Sequence, residues 1–220
     1  MESFVDEYDL TLAKKFLKGM KNKKFECYYK MIMAYSLTRH ELLNLEWKDI
    51  DFENNTITFY PVYYPKDYTN NAPYNYQWQR LKDVELGRTF PLLPCLRKML
   101  IKIKKDCIYN VPTVCIRKDG SLMNANTLSR NVRYIARDCG LPQTLISGIK
   151  KSCHEFYLKH SPSYEFFRCW TRFDVEFRKE NLYPNLDLTK NKKFIELVDN
   201  FIDTGNFDLR NKKKEAEMWG

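Results

Sequence analysis

A chain of 220 residues with 44 % hydrophobic and 30 % charged residues can bury a core, as one large domain or a small domain with an appendage. No apolar run approaches the length of a membrane span (about 18 residues), and the acidic start MESFVDEYDL lacks the apolar centre of a secretory signal. The net charge of +9 fits either a polyanionic partner or a lysine-rich, solubilising surface, and only its distribution separates the two.

In chain order, residues 10–22 place Leu12, Phe16 and Met20 at helical spacing, and a second helix over about 24–36 carries Phe25, Tyr28, Ile32 and Tyr35 or Ser36 on one face. Thr38-Arg39-His40-Glu41 has the form of a capping box, in which Thr38 accepts from the amide three residues on and Glu41 reaches back. The helix so opened carries Leu42, Leu43 and Leu45 and breaks near Trp47. DIDFENNTITFYPVYY alternates around an Asn54-Asn55 turn, the pattern of a β-hairpin. Residues 63–80 read as a polar insertion studded with Tyr63, Tyr64, Tyr68, Tyr74, Tyr76 and Trp78, and RTFPL (88–92) as the next strand. PCLRKMLIKIKKD is an amphipathic helix with Leu96, Met99, Leu100 and Ile103 inward and Lys98, Lys102 and Lys105 outward.

TVCIR (113–117) reads as a short strand ending in the turn KDGS. NTLSRNVRYIARDCGL is the clearest helix: Leu128, Val132, Ile135 and Cys139 line one face, Arg130, Arg133 and Arg137 another, and Gly140 stops it. One helix is predicted over 147–160, another from Ser161-Pro162 through Phe167 and Trp170, and a last one over about 190–203 before RNKKKEAEMWG. The fold class is α+β, mostly helical. The expected division is a domain over 1–186, with its insertion at 63–80, and a C-terminal helix with a charged tail over 187–220. Seven scattered cysteines without a Cys-x-x-Cys pair, and three histidines that complete no zinc pattern, point to free thiols in a reducing compartment.

ELLNLEWKDIDF, then a lysine before RTFPL, then KDGSLMNANTLSRNVRYIARDCGL fall in an order and spacing that resemble the catalytic domain of tyrosine recombinases, the phage integrase family. The resemblance runs from about Leu10 to Tyr183 and implies helices packed around a small antiparallel sheet. It also implies a chemistry: a tyrosine hydroxyl attacks a DNA phosphodiester and forms a 3′-phosphotyrosyl link. Two arginines and a histidine, or its substitute, hold the non-bridging oxygens, and a hairpin lysine protonates the leaving 5′ oxygen. Arginine suits the task because its planar fork bonds phosphate bidentately and keeps its charge.

Carried over residue by residue, the family's first arginine, three residues before Glu41, falls on Thr38. Arg39 is one residue late, and such a slip turns a side chain by roughly 100° about the helix. It is therefore either a displaced substitute or a solvated first-turn residue. Lys82 matches the hairpin lysine. The His-x-x-Arg box falls on Ser147-Gly148-Ile149-Lys150, so Ser147 replaces the histidine and Lys150 keeps the arginine's charge without its fork. His154 lies a turn further along; Trp170 fills the later His/Trp region or packs in the core; Tyr183 stands near the nucleophile's place. The candidate catalytic set is Tyr183, Lys82, Lys150 and Arg39. Losing one preorganised donor costs about a hundred- to a thousandfold in rate, so the resemblance implies a kept fold and an impaired site.

Arg130, Arg133 and Arg137, with Lys151 and Arg88, form the candidate DNA-binding set, since phosphate contacts dominate nucleic-acid affinity. Only about ten residues precede the recombinase-like region, where the family carries a separate core-binding domain, so tight sequence-specific binding by a monomer is not expected. The expected partner is double-stranded DNA, with a second copy or another protein meeting the 63–80 insertion or the C-terminal tail. No metal, cofactor or membrane is expected, and the expected place is the host cytosol, nucleoid- or virion-associated. Three readings stay open: an accessory or architectural DNA-binding factor of a phage or mobile element with impaired strand transfer, a divergent active recombinase using Tyr183, and a structural protein reusing the scaffold.

Overall fold

The computed structural model describes residues 10–63, 79–80, 87–142, 144–172 and 186–206. Its first helices are α1 (Leu10–Met20) and α2 (Glu26–Tyr35). The sequence gives α2 one buried face, but every residue from Cys27 to Tyr35 is buried, which makes it the central helix rather than a surface one. Its one buried charge, Lys30, is paired with Glu26 at 2.9 Å and reaches Asp203 at 3.8 Å. Around α2 pack α4 (Pro94–Asp106) and α9 (Lys192–Thr204), while α1 lies against α9 and α5 (Ala125–Asp138).

The C-terminal end of α2 is buried, so its last carbonyls need partners from elsewhere in the chain. Tyr157 Oη donates to Met33 O (2.6 Å) and Ala34 O (3.1 Å), and Trp170 Nε1 donates to Ala34 O (2.8 Å). Ser36 then takes the left-handed conformation (φ 52°), and both its amide and that of Leu37 close on Ile32 O. Two residues later Thr38 opens α3 (Arg39–Leu43), so the start of this short helix is set by side chains far along the chain. A 3-10 turn at Trp47–Asp49 follows, near the expected break.

Strands β1 (Ile50–Asp51), β2 (Thr56–Phe59) and β5 (Arg88–Pro91) form an antiparallel sheet in the order β1-β2-β5, with Ile57 opposite Ile50 on one side and Phe90 on the other. Asp51 accepts from the amides of Glu53 and Asn54 (2.9 Å each), and Asn55 adopts φ 52°, which closes the expected hairpin. The buried sheet face rests on α2 and the later helices: Tyr35 lies 5.3 Å from Phe59 and 5.0 Å from Phe90, and Trp170 meets Phe90 edge-on at 4.9 Å. Strands β3 (Val62–Tyr63) and β4 (Gln79–Arg80) pair antiparallel at the two ends of the aromatic insertion. The insertion between them lies outside the described residues.

Three local expectations differ. TVCIR is not a strand; Thr113 and Ile116 form only isolated bridges, because its amides go to separate partners, Val114 N–H to the distant Leu45 O (3.0 Å) and Arg117 N–H to Ser121 O (2.8 Å) in the following turn. The single helix over 147–160 is two, α6 (Ile146–Lys151) and α7 (His154–His160). The Ser152 hydroxyl donates to Ile149 O (2.6 Å) and Cys153 N–H to Lys150 O (3.2 Å), a tightening that ends α6 and re-aims the chain. Helix α8 (Tyr164–Thr171) starts at a Ser163 cap, two residues after the Ser161 of the expected start. Helix α9, expected in a C-terminal segment of its own, shares the core: Phe194 meets Trp170 at 4.9 Å, Phe201 stacks on Phe156 at 4.5 Å, and Asp199 accepts the Cys95 N–H in the first turn of α4 at 2.9 Å. No described helix is long and apolar enough to cross a membrane.

Candidate phosphate-binding site

The capping box at the start of α3 forms as the residues predict: Glu41 N–H donates to Thr38 Oγ1 (3.2 Å) and Thr38 N–H donates to Glu41 Oε2 (2.8 Å). Thr38 thus serves as a cap at the position where the resemblance puts a phosphate-gripping arginine. The second oxygen of the same carboxylate is the centre of something larger. Glu41 Oε1 accepts from Arg172 Nη1 and from Arg88 Nη2 (3.4 Å), with the Glu41 side chain only 2 % exposed. Burial alone would raise its pKa; the Arg172 and Arg88 guanidiniums and the bonds to Thr38 outweigh that and hold the carboxyl below its ordinary value.

Arg88 enters from β5 and Arg172 from the turn after α8, so three elements converge on one carboxylate. Arg88 also donates through Nη1 to Trp170 O (3.0 Å) and Cys169 O (3.4 Å), satisfying carbonyls at the end of α8. Arg172 is the C-cap of that helix and holds a left-handed backbone (φ 54°), its amide closing on Arg168 O at 2.8 Å. The ion pair to Glu41 is what ties this strained residue inward.

A third cation lies beside the pair. Lys150, on the last turn of α6, is half-buried, and among the described residues its ammonium makes no hydrogen bond or ion pair. Its pKa is lowered chiefly by burial; Glu41 pulls it back up, while Arg88, Arg172 and Lys151 push it further down. Arg88, Arg172 and Lys150 thus bring three positive charges to the neighbourhood of the Glu41 carboxylate. Next to it the His154 Nε2 lies 3.1 Å from the buried Ser36 Oγ, and burial, then the neighbouring Lys150 and Lys151, lower the imidazole to about 4, so it is neutral at pH 7.

The other candidates are distributed as follows. Arg39 is exposed and bonds His40 (3.1 Å) and Ser129 Oγ of α5 (3.2 Å), not Glu41, as a one-residue rotation about the helix dictates. Ser147 is exposed in the first turn of α6. Arg88, expected among the DNA contacts, is buried with a side chain 4 % exposed and turned onto Glu41 and the end of α8: a buried β5 position faces the core whatever its charge. Trp170 is fully buried and stacked on Phe166, which is the core-packing alternative for that residue. Lys82 and Tyr183 lie outside the described residues, as does the charged C-terminal tail. Arg172 and the second role of Glu41 are absent from the sequence reading. The sequence signal for Arg172 is its place at a helix end in RCWTRFD.

On the surface, Arg130, Arg133 and Arg137 run exposed along α5, Arg137 lying 5.3 Å over the Tyr134 ring, and Lys151 is exposed at the end of α6. The Arg39–Ser129 bond joins the start of α3 to this basic face.

No protein-family model and no curated protein matches the sequence. Solved structures do match the fold. XerA recombinase is similar with a TM-score of 0.55 and 12 % identity, over 99 % of this chain and 64 % of that one. The integrase of the Tn1549 transposon in complex with transposon right-end DNA is similar at 0.59 and 14 %, over 91 % and 62 %. A lambda integrase dimer bound to a core site is similar at 0.54 and 13 %, over 81 % and 63 %. The chain thus spans less than two thirds of the length of each, and the likeness is one of architecture. Its helices around a small antiparallel sheet have the fold of the tyrosine-recombinase and integrase catalytic domain.

Proposed function

We propose that this protein binds double-stranded DNA as an accessory or architectural factor in phage or mobile-element DNA transactions, with strand transfer impaired. The observation that carries this reading is the exposed arginine face of α5, Arg130, Arg133 and Arg137, on a fold in which Thr38 caps a helix. That face supplies sequence-independent phosphate contacts. Impairment rests on the donor set: Ser147 and Thr38 supply no guanidinium or imidazole, and Arg88 is spent on internal partners. Each missing preorganised donor costs about two to three orders of magnitude in rate. DNA-bound structures among the fold neighbours, the Tn1549 and lambda integrases, support duplex DNA as the partner.

The test uses the full chain on duplex DNA across a salt series, together with nicked suicide substrates. Duplex should be retained at low salt and lost steeply as salt rises, with no covalent protein–DNA adduct. An adduct that disappears in Tyr183→Phe would establish the divergent active recombinase instead. Absence of duplex binding at low salt would leave the structural-protein reading.

A further inference from the structure

We infer that the cavity between the 3-10 turn at Trp47 and residues 107–112 receives an unpaired nucleobase, and that the lysine face of α4 beside it carries the flanking phosphates of a single strand. The site shares no residue with the α5 face and goes beyond the duplex contact proposed there. The cavity encloses about 530 Å³, within the range of small-ligand sites. Its wall holds Trp47, Tyr109 and Val111 with the side chains of Lys48 and Lys104. Backbone bonds build that wall before any ligand arrives: Trp47 N–H donates to Pro112 O (2.8 Å) and Val111 N–H to Tyr109 O (3.1 Å).

Tyr109 is the stacking platform. Its hydroxyl donates to Lys118 O (3.1 Å), and Gly120 lies against its ring so closely that a Cβ there would come within 2.6 Å of Cδ1. Gly120 also holds φ 79°, a backbone that a side chain would strain. With one side of the ring backed and its tip tied, the residue remains 37 % exposed. A ring held in this way loses little rotamer freedom when a base stacks on it, and every base has a face to offer. Trp47 already has the Lys104 ammonium 5.7 Å over its ring, so the stacking face falls to Tyr109. The Glu46 carboxylate, which would repel phosphate, is paired with Lys48 at 2.5 Å. Lys98, Lys102 and Lys105 continue the positive charge along about 10 Å of α4, exposed and without an ion pair among the described residues. The helix dipole accounts for basic residues in the last turn, Lys104 and Lys105, but not for Lys98 and Lys102. Phosphates are the counter-charge such a row takes, and an aromatic wall beside it selects strands whose bases are unpaired.

The experiment measures the anisotropy of a labelled single-stranded oligothymidylate and of a labelled duplex, each with the full chain across a salt series. The variants are Tyr109→Ala, Tyr109→Phe and the triple Lys98→Gln, Lys102→Gln, Lys105→Gln, and thymidine monophosphate serves as competitor. Tyr109→Ala should weaken the single strand at least about fivefold, the loss of one stacked base, and leave the duplex unchanged. Tyr109→Phe keeps the ring and should bind the strand within about twofold of wild type. The triple variant should lower the slope of log affinity against log salt for the strand by about 0.7 per lost contact. It touches exposed side chains alone and so tests the site even where Tyr109→Ala does not fold. Unchanged strand affinity in Tyr109→Ala, or equal losses of strand and duplex, would overturn the inference, as would a salt slope that the triple variant leaves intact. Thymidine monophosphate that competes as tightly as the strand would assign the cavity to a free nucleotide and overturn the part given to α4. Absence of duplex binding, with strand binding and its dependence on Tyr109 kept, would sink the proposed function and leave this site standing.

Discussion

The Glu41 cluster and the arginine face of α5 are both basic, yet their charges are held in opposite ways. In the cluster, Arg88 and Arg172 are buried or nearly so and share one carboxylate. On α5, Arg130, Arg133 and Arg137 stand in water on one side of a helix whose other side is core. Desolvation makes the first set expensive to disturb and leaves the second almost free of structural duty. One region should therefore report on the fold whenever it is mutated, and the other on the proposed DNA contact alone.

The largest effect that would sharpen this contrast is Glu41→Gln. It removes the carboxylate charge that Arg88 and Arg172 share, and breaking a buried pair from one side costs about 3–5 kcal/mol, measurable by denaturant unfolding at pH 7. The pH dependence has a defined sign. The folded pKa of Glu41 lies below its ordinary value, so its contribution is fully present above the unfolded pKa and is lost as pH falls through the folded one. The penalty of Glu41→Gln should accordingly shrink on acidification below the ordinary carboxylate range. A penalty that stays constant down to the acid limit would mean that the carboxylate charge is not what holds the cluster.

Next in size is the triple variant Arg130→Ala, Arg133→Ala, Arg137→Ala. Its duplex affinity should fall across all sequences, and the slope of log affinity against log salt should shrink by about 0.9 per lost phosphate contact. Its stability should stay within about 0.5 kcal/mol per substitution of the wild type. A large loss of stability with an unchanged salt slope would erase the distinction between the two regions.

The smallest expected effect is Thr38→Ala, which removes the cap but none of the Glu41 ion pairs. It should cost about 1 kcal/mol in unfolding free energy and leave duplex affinity unchanged. A loss of duplex affinity would show that the cap and the basic face act as a single unit.

Much of the fold is legible in the residues because it is local. The capping box, the Asn54-Asn55 hairpin and the division of α5 into apolar and arginine faces depend on spacings of two to four residues, and all three form. The two places where spacing misleads are also local in origin but decided by contacts. Residues 113–117 alternate like a strand, yet the Val114 amide goes to the distant Leu45 carbonyl and that of Arg117 to the turn at Ser121, and 147–160 has helical periodicity that the Ser152 hydroxyl interrupts. Arg88 shows the limit for the site: a charge in the strand RTFPL reads as surface until its neighbours Phe90 and Leu92 are seen buried with it.

By itself the sequence determined the mostly helical α+β architecture, the capping box at Thr38, and the basic stripe on α5, because each follows from residue type and near-neighbour spacing. Only the tertiary structure decided where the charges end up. Arg172 and Glu41 are 131 positions apart and no periodicity links them. They meet because Tyr157 and Trp170 bury the end of α2 and aim the next residues at the C-terminus of α8. Desolvation at that junction turns an ordinary capping glutamate into the anchor of two arginines, with Lys150 beside it.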